Sequence, residues 1–135
     1  MPNENPSFKA RVIRRAHFSA AYEEPSSKAV HGHNYILEAC VEGPIQQGSG
    51  MVIGIAELKE LLHLTTRKLD HKFLNRDVKE LLGFIPTAEN LARFCFEDLA
   101  LNLSSLKHLR LFKVRLYETE DLWVDYSPGP SAEIE

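Results

Sequence analysis

The sequence predicts a mixed α+β domain with the element order ββααββ. Apolar and polar residues alternate at both ends of the chain, whereas apolar residues in the middle recur every three or four positions. The 135 residues, of which 44% are hydrophobic and 26% charged, have the composition of one globular domain spanning 1–135. The ends, 1–6 and 127–135, are rich in Pro, Ser, Gly and acidic residues, and we expect them to be flexible.

Four strands follow from the alternation of apolar and polar residues. They are predicted over residues 8–18, 31–42, 109–118 and 122–126. Gly43-Pro44 is expected to end the second strand, because both residues favour turns. A tight turn at 119–121 joins the last two strands, so the sequence predicts an antiparallel sheet.

Two helices are predicted between the second and third strands. Residues 56–69 carry leucines three and four positions apart, which is typical of an amphipathic helix. The next helix begins after Pro86, with Thr87 as its N-cap and Glu89 in the first turn, and it ends near Asn102. We expect both helices to cover one face of the sheet.

Charge and composition exclude several classes of protein. The net charge of −3 provides no overall positive field, so neither nucleic acid nor a membrane surface is an expected partner. The sequence has no apolar run of bilayer length and no secretory signal at its start, and we expect a cytoplasmic protein. Cys40 and Cys95 lie in apolar stretches and are predicted to be reduced core residues.

The strongest chemical signal is His31-Gly32-His33. Two histidines at i and i+2 on a strand project from the same face, where both imidazoles can reach one ion. His17, at the end of the preceding predicted strand, is a candidate third ligand if the two strands pair. Three histidines with an open position would form a catalytic zinc site, whereas the alternative is that they are ordinary surface or core residues.

Three further positions are candidates for chemistry. Asp70-His71 could transfer protons, because the carboxylate orients the imidazole, or it could be part of a solvated loop. Glu118 follows apolar residues of the same strand parity, so it either needs buried donors or is exposed at the strand end. The Thr87 hydroxyl could cap its helix, contact a ligand, or do both.

Six short motifs occur in a particular order along the chain. They are Ala16-His17-Phe18, Tyr22-Glu23, the stretch 31–35, the stretch 69–75, the stretch 86–90, and Tyr117-Glu118-Thr119. This combination resembles the family of 6-pyruvoyltetrahydropterin and 6-carboxytetrahydropterin synthases, from Phe8 to Tyr126. The resemblance implies the tunnelling fold, whose element order agrees with the predicted ββααββ.

The resemblance also implies a site, a cofactor and an assembly. The implied residues are His17, His31 and His33 for Zn²⁺, Asp70 and His71 for catalysis, and Thr87 and Glu118 for the pterin substrate. Glu118 would anchor the pterin ring, whose aminopyrimidine edge presents paired donors. Family members form trimers stacked into hexamers, so we expect a homo-oligomer with the pocket at a subunit interface.

The chain departs from the family pattern just before His31. Synthases place a proton-abstracting cysteine four or six residues ahead of this histidine, where this chain has Ser27 and Pro25. A serine hydroxyl is a much weaker acid than a thiol and makes a poor base. Another branch of the family uses a glutamate instead, and here only Glu23 and Glu24 are available.

The leading hypothesis is therefore a zinc-dependent carbon–oxygen lyase acting on 7,8-dihydroneopterin triphosphate or a related dihydropterin. A second is side-chain cleavage to a 6-hydroxymethylpterin. A third is a pterin-binding protein that lost its chemistry with the cysteine, and a fourth is a structural or interaction domain. Lys28 and Lys72 are candidate cations for a triphosphate, and the biopterin, folate and deazapurine pathways all remain open.

Overall fold

The computed structural model describes residues 4–129 and contains a five-stranded sheet of order β3-β1-β2-β4-β5. The strands are β1 Glu4–Glu23, β2 Val30–Gln46, β3 Lys72–Phe73, β4 Arg110–Thr119 and β5 Leu122–Tyr126. The helices are α1 Ile55–Thr66, α2 Leu74–Asp77 and α3 Ala88–Leu103, with a 3₁₀ turn at Lys79–Leu81. The predicted ββααββ order is confirmed, with the short β3 and α2 added between the two main helices.

Several element boundaries differ from the prediction. Strand β1 continues past residue 18 to Glu23, and α1 ends at Thr66 rather than at residue 69. Residues 4–6 of the end expected to be flexible belong to β1, and residues 1–3 and 130–135 lie outside the described part of the chain, so the flexibility of the ends stays a prediction. Strand β2 does not end at Gly43-Pro44, because both residues pair with β1. A Cβ at Gly43 would lie 2.8 Å from a methyl carbon of Leu109, so glycine here serves close packing rather than a turn.

The sheet is not wholly antiparallel. Strands β1, β2, β4 and β5 pair antiparallel, but β3 lies parallel to β1, where Lys72 and Phe73 are in register with Ala20 and Ala21. This short pairing brings the segment that follows α1 to the outer edge of β1. The sequence could not predict it, since a two-residue strand has no periodicity.

The core lies between one sheet face and the helices α1 and α3. Alternate strand residues point into it, among them Phe18, Leu37 and Leu116, each at most 2% exposed. Cys95 of α3 is fully buried in this core. Cys40 is also buried, but its position in β2 places it on the opposite sheet face, outside the core cluster; both thiols are free, as predicted. Within residues 4–129, no helix is long and apolar enough to cross a membrane.

The opposite sheet face carries charged and aromatic residues. A bulge in β4 opposite Cys40 and Val41 turns Phe112 outward, although its parity in the sequence predicts an inward position. The Arg11 guanidinium lies 3.6 Å from the Phe112 ring centre and also bonds to Glu42. The bulge therefore places Phe112 on the polar face, while Val114 and Leu116 of the same strand face the core.

Candidate functional site

Strand register brings His31 and His33 together on the core side of the sheet, near one end. His33 pairs with Ala20 and His31 with Tyr22, and paired residues of antiparallel strands point to the same face. The two imidazole rings are parallel, with centres 6.4 Å apart. The prediction that these histidines share a face is confirmed.

Tyr22 completes a group of three rings. Its ring centre lies 5.4 Å from that of His31 and 6.5 Å from that of His33. Asn75 fixes the end of β1 here, since its amide accepts from the Glu23 N–H at 2.6 Å and donates to the Glu23 carbonyl at 2.9 Å. The position of Tyr22 is therefore set by the sheet register and by this clamp.

Glu118 enters the same group from β4. Its Oε2 lies 3.0 Å from His33 Nε2, and the two side chains are only 16% and 22% exposed. A partly buried carboxylate requires a partner, and the His33 imidazole lies at contact distance. Glu118 is therefore largely buried next to His33, rather than exposed at the strand end.

Tyr35 lies beneath the cluster. Its ring is stacked on Phe18 at 4.8 Å and meets His33 edge-on at 5.6 Å. Tyr35 is 1% exposed, and its hydroxyl is a buried side-chain group without a hydrogen-bond partner in the described residues. Burial, followed by the charges of Glu118 and Tyr22, raises the pKa of Tyr35, so the hydroxyl stays a proton donor at neutral pH.

Three carboxylates act on the phenol of Tyr22. Burial raises the pKa of Tyr22, and the charges of Glu118, Glu24 and Glu89 raise it further. Thr87 Oγ1 accepts from the Asn90 N–H at 3.2 Å, so the predicted N-cap is confirmed. Its predicted contact with substrate stays a prediction.

His17 is not part of the cluster, and its expected position beside His31 and His33 is corrected. It pairs with Ile36, on the opposite sheet face, and it lines a separate pocket with Lys59 and His63 of α1. Five residues of extended strand, about 16 Å, separate it from Tyr22. An odd separation along a strand reverses the side-chain direction, so His17 cannot join the pair without a register shift.

Asp70 and His71 dock on the edge of β1. Asp70 Oδ1 accepts from the Ser19 N–H at 2.9 Å, and the His71 N–H donates to the Ser19 carbonyl at 2.6 Å. Asp70 Oδ2 also lies 3.0 Å from His71 Nδ1, as expected for a carboxylate that orients an imidazole. The Ser19 N–H and then His71 hold the pKa of Asp70 below its ordinary value.

His71 is unusual in its backbone and exposure. Its φ of 60° lies in the left-handed region, which is costly for a residue with a Cβ. The side chain is 85% exposed, and it points away from the protein rather than into the core. Among the described residues, the side-chain hydrogen bond and the ion pair of Asp70 and His71 go to Ser19 and to each other, and neither reaches His31, His33 or Glu118.

The loop between β1 and β2 is a short turn. The backbone closes between Glu24 and Ala29 at 2.8 Å, and the Ser27 hydroxyl donates to the Glu24 carboxylate. Both side chains are exposed. This compact turn brings the candidate bases Glu24 and Ser27 into contact with each other.

Donor chemistry at the cluster fits a metal bound by nitrogen and oxygen, although not by three imidazoles. In residues 4–129, no three His, Cys, Asp or Glu side chains form a ready metal-binding group. His31, His33 and Tyr22 nevertheless offer two imidazoles and a phenol on one face, and zinc accepts both nitrogen and oxygen ligands. The residues thus fit a mixed site.

Sequence reasoning missed Tyr22 and Tyr35 as members of the site. Both lie within quoted motifs, and both share the parity of the core-facing residues of their strands. Counting from Phe18 along the first strand selects Ala20 and Tyr22, rather than His17, as residues on the face of the buried side chains. That parity is the signal from which Tyr22 could have been found.

Comparison with known proteins agrees with this architecture. The family model described as 6-pyruvoyl tetrahydropterin synthase matches residues 8–129. The 6-pyruvoyl tetrahydrobiopterin synthase of Dictyostelium discoideum is 44% identical over 97 residues, which are 71% of this chain and 69% of that protein. The dihydroneopterin monophosphate aldolase of Pyrococcus furiosus is 34% identical over 121 residues, covering 86% of this chain and 100% of the relative.

The fold also matches a solved structure. Caenorhabditis elegans 6-pyruvoyl tetrahydropterin synthase superimposes with a TM-score of 0.80 at 29% identity, covering 90% of this chain and 96% of the other. The sheet and its helices thus define a tunnelling-fold protein of the pterin-processing class. The chain belongs to the 6-pyruvoyl tetrahydropterin synthase family.

Proposed function

We propose that this protein is a lyase that acts on the side chain of a phosphorylated 7,8-dihydroneopterin. The observation that carries the proposal is the contact of Glu118 with His33, next to Tyr22 and above the unpartnered hydroxyl of Tyr35. A carboxylate and a buried donor can recognise the paired N–H groups and the acceptors of a pterin ring. The named activities of the relatives support the same substrate class.

Each residue has a part in this proposal. Glu118 holds the ring through the carboxylate oxygen that His33 leaves available, and Tyr35 donates to a ring acceptor. His71, oriented by Asp70, moves protons to and from the side-chain oxygens. Because the exposed His71 side chain has no hydrogen bond or ion pair with the cluster among the described residues, His71 acts at the site of a neighbouring subunit, and the active protein is a trimer or hexamer.

A zinc ion is part of the proposal. His31 and His33 would hold it with one oxygen donor, in place of the three histidines expected from the sequence. When bound, zinc supplies Lewis acidity, which lowers the cost of removing a proton next to a side-chain hydroxyl.

The absence of a thiol bears on the reaction. Cys95 is buried in the core and Cys40 is buried on the opposite sheet face. Burial raises the pKa of both thiols, so neither provides a thiolate base at the cluster. Elimination of triphosphate begins with a proton on carbon, whereas aldol cleavage begins with a proton on the 2′-hydroxyl, which an imidazole or carboxylate removes more easily. Triphosphate elimination therefore needs another base, Glu23, Glu24 or Ser27, in place of the thiol.

A second candidate reaction is cleavage of the C1′–C2′ bond. The specific observation in its favour is the Pyrococcus furiosus relative, an aldolase by name that the match covers completely. In this reaction the base takes the 2′-hydroxyl proton, the bond electrons pass to C1′, and C1′ is protonated. The products are a 6-hydroxymethylpterin and a phosphorylated two-carbon aldehyde.

Product analysis tests both reactions. The purified protein is incubated with 7,8-dihydroneopterin triphosphate or monophosphate, with and without a chelator, and products are identified by mass spectrometry. Release of triphosphate supports the synthase reaction, and a 6-hydroxymethylpterin supports cleavage. Unchanged substrate in both cases contradicts the proposal and favours a pterin-binding protein.

Ser27→Cys separates an altered enzyme from an inactive one. If the chain lost synthase chemistry with the cysteine, the variant should gain triphosphate elimination that the unmodified protein lacks. Ser27→Ala is the matched control, since it removes the bond to Glu24 without adding a thiol. If the unmodified protein already eliminates triphosphate, the chain has not lost synthase chemistry with the cysteine.

A further inference from the structure

Three aromatic rings surround one point on the core side of the sheet. The ring centres of Tyr22, His31 and His33 are 5.4, 6.4 and 6.5 Å from one another, close to an equilateral triangle. All three rings come from paired strands, and register rather than a loop sets their spacing. Side chains held on strands suit a ligand set, because their geometry is fixed before the ion binds.

Glu118 orients one of these rings. Its carboxylate lies 3.0 Å from Nε2 of His33, at hydrogen-bonding distance. When the ring nitrogen that faces a carboxylate carries the proton, the other nitrogen, here Nδ1, presents its lone pair. Carboxylate-oriented imidazoles are the usual arrangement around protein-bound metals.

In the part of the chain that the structure describes, no third imidazole joins His31 and His33 in a metal-binding group. His17 lies on the other face, and in the described chain the position that register puts opposite His31 belongs to Tyr22. The third donor is then a phenol oxygen, a harder ligand than an imidazole nitrogen.

We propose that Tyr22 is the third protein ligand, so that a divalent metal on this face is held by two imidazoles and a phenol oxygen. On binding, the metal–oxygen bond forms as the phenol O–H bond breaks, and the proton is released to solvent. The oxygen donor makes this site weaker for zinc than one with three imidazoles. The inference concerns the metal of the proposed function, but it is tested without a pterin, so each can fail separately.

Metal affinity of three variants tests the assignment. Metal-free protein is titrated with Zn²⁺ against a chromophoric chelator, for the unmodified chain, Tyr22→Phe and Tyr22→His. Loss of even an outer-sphere partner weakens metal sites by roughly 10- to 100-fold, so Tyr22→Phe should lose at least about tenfold. Tyr22→His should bind zinc more tightly than the unmodified chain. A visible charge-transfer band with Cu²⁺, absent in Tyr22→Phe, is the signature of a coordinated phenolate.

His17→Ala is the matched control, because it removes an imidazole from the opposite face. It should bind zinc like the unmodified chain, and melting curves should show that every variant is folded. Equal zinc affinity of Tyr22→Phe and the unmodified chain would overturn the proposal. So would loss of zinc in His17→Ala, or an unmodified chain that binds no zinc.

Discussion

Replacing Tyr35 with phenylalanine should stabilise the free protein and weaken its binding of the pterin. The ring of Tyr35 is stacked on Phe18 and is 1% exposed, so phenylalanine keeps the packing. Only the hydroxyl is lost, and it has no partner in the described residues. A buried polar group without a partner costs about 1–3 kcal/mol, so its removal should raise the free energy of unfolding by about 1 kcal/mol.

The same hydroxyl is expected to donate to the ligand. Losing one neutral hydrogen bond of about 1 kcal/mol should raise the Kd for 7,8-dihydroneopterin about fivefold. For a chain of this size, the stability gain corresponds to about 4 °C in Tm. Melting curves measure the gain in stability, and pterin fluorescence measures the change in Kd.

Tyr126→Phe provides the matched control, since Tyr126 of β5 packs against Phe96 of α3 rather than against the cluster. It should leave pterin binding unchanged. A Tyr35→Phe variant that is less stable, with an unchanged Kd, would show that the hydroxyl already has a partner in the free protein. That result would refute its role as a ligand donor.

Three further predictions concern the residues around the site. Thr87→Ala should destabilise the protein by about 1 kcal/mol because α3 loses its cap, and Thr87→Ser should restore most of it in denaturant melts. The pKa of Asp70 is lowered in the folded protein, so ionised Asp70 contributes to stability above pH 3.8, its ordinary pKa. This contribution is lost as pH falls through the lower pKa of the folded state. Asp70→Asn should therefore flatten the decline in Tm below about pH 4. His71→Ala should be less stable than His71→Gly by about 1 kcal/mol, because the backbone at residue 71 has a φ of 60°. Both variants should lose turnover. Equal stability of the two variants would show that the backbone at residue 71 is not strained.

Periodicity in the sequence predicted the elements that bury a face. Alternation along β1, β2, β4 and β5, and the three- and four-residue spacing in α1 and α3, reflect burial against one core, and these elements were found as expected. The Phe112 bulge and the two-residue β3 depend on contacts distant in sequence, and no local pattern marks them.

The site was predicted in part for a similar reason. His31 and His33 share a face whatever the register, because two residues separate them on one strand. The placement of His17 depended on register between two strands, and parity puts it on the opposite face, with Tyr22 beside the histidines instead. That the Tyr35 hydroxyl has no hydrogen-bond partner among the described residues depends on its tertiary contacts, which the sequence alone does not give.

The most direct test of the account compares Glu118→Gln with Glu42→Gln in turnover of phosphorylated 7,8-dihydroneopterin. Glu118 lies against His33 in the cluster, whereas Glu42 pairs with Arg11 on the opposite face. The account predicts that Glu118→Gln loses kcat/KM by about 100-fold, as when a charged partner worth roughly 3 kcal/mol is removed, and that Glu42→Gln is nearly unchanged. Equal activity of the two variants would contradict the assignment of the His31–His33–Glu118 cluster as the pterin site.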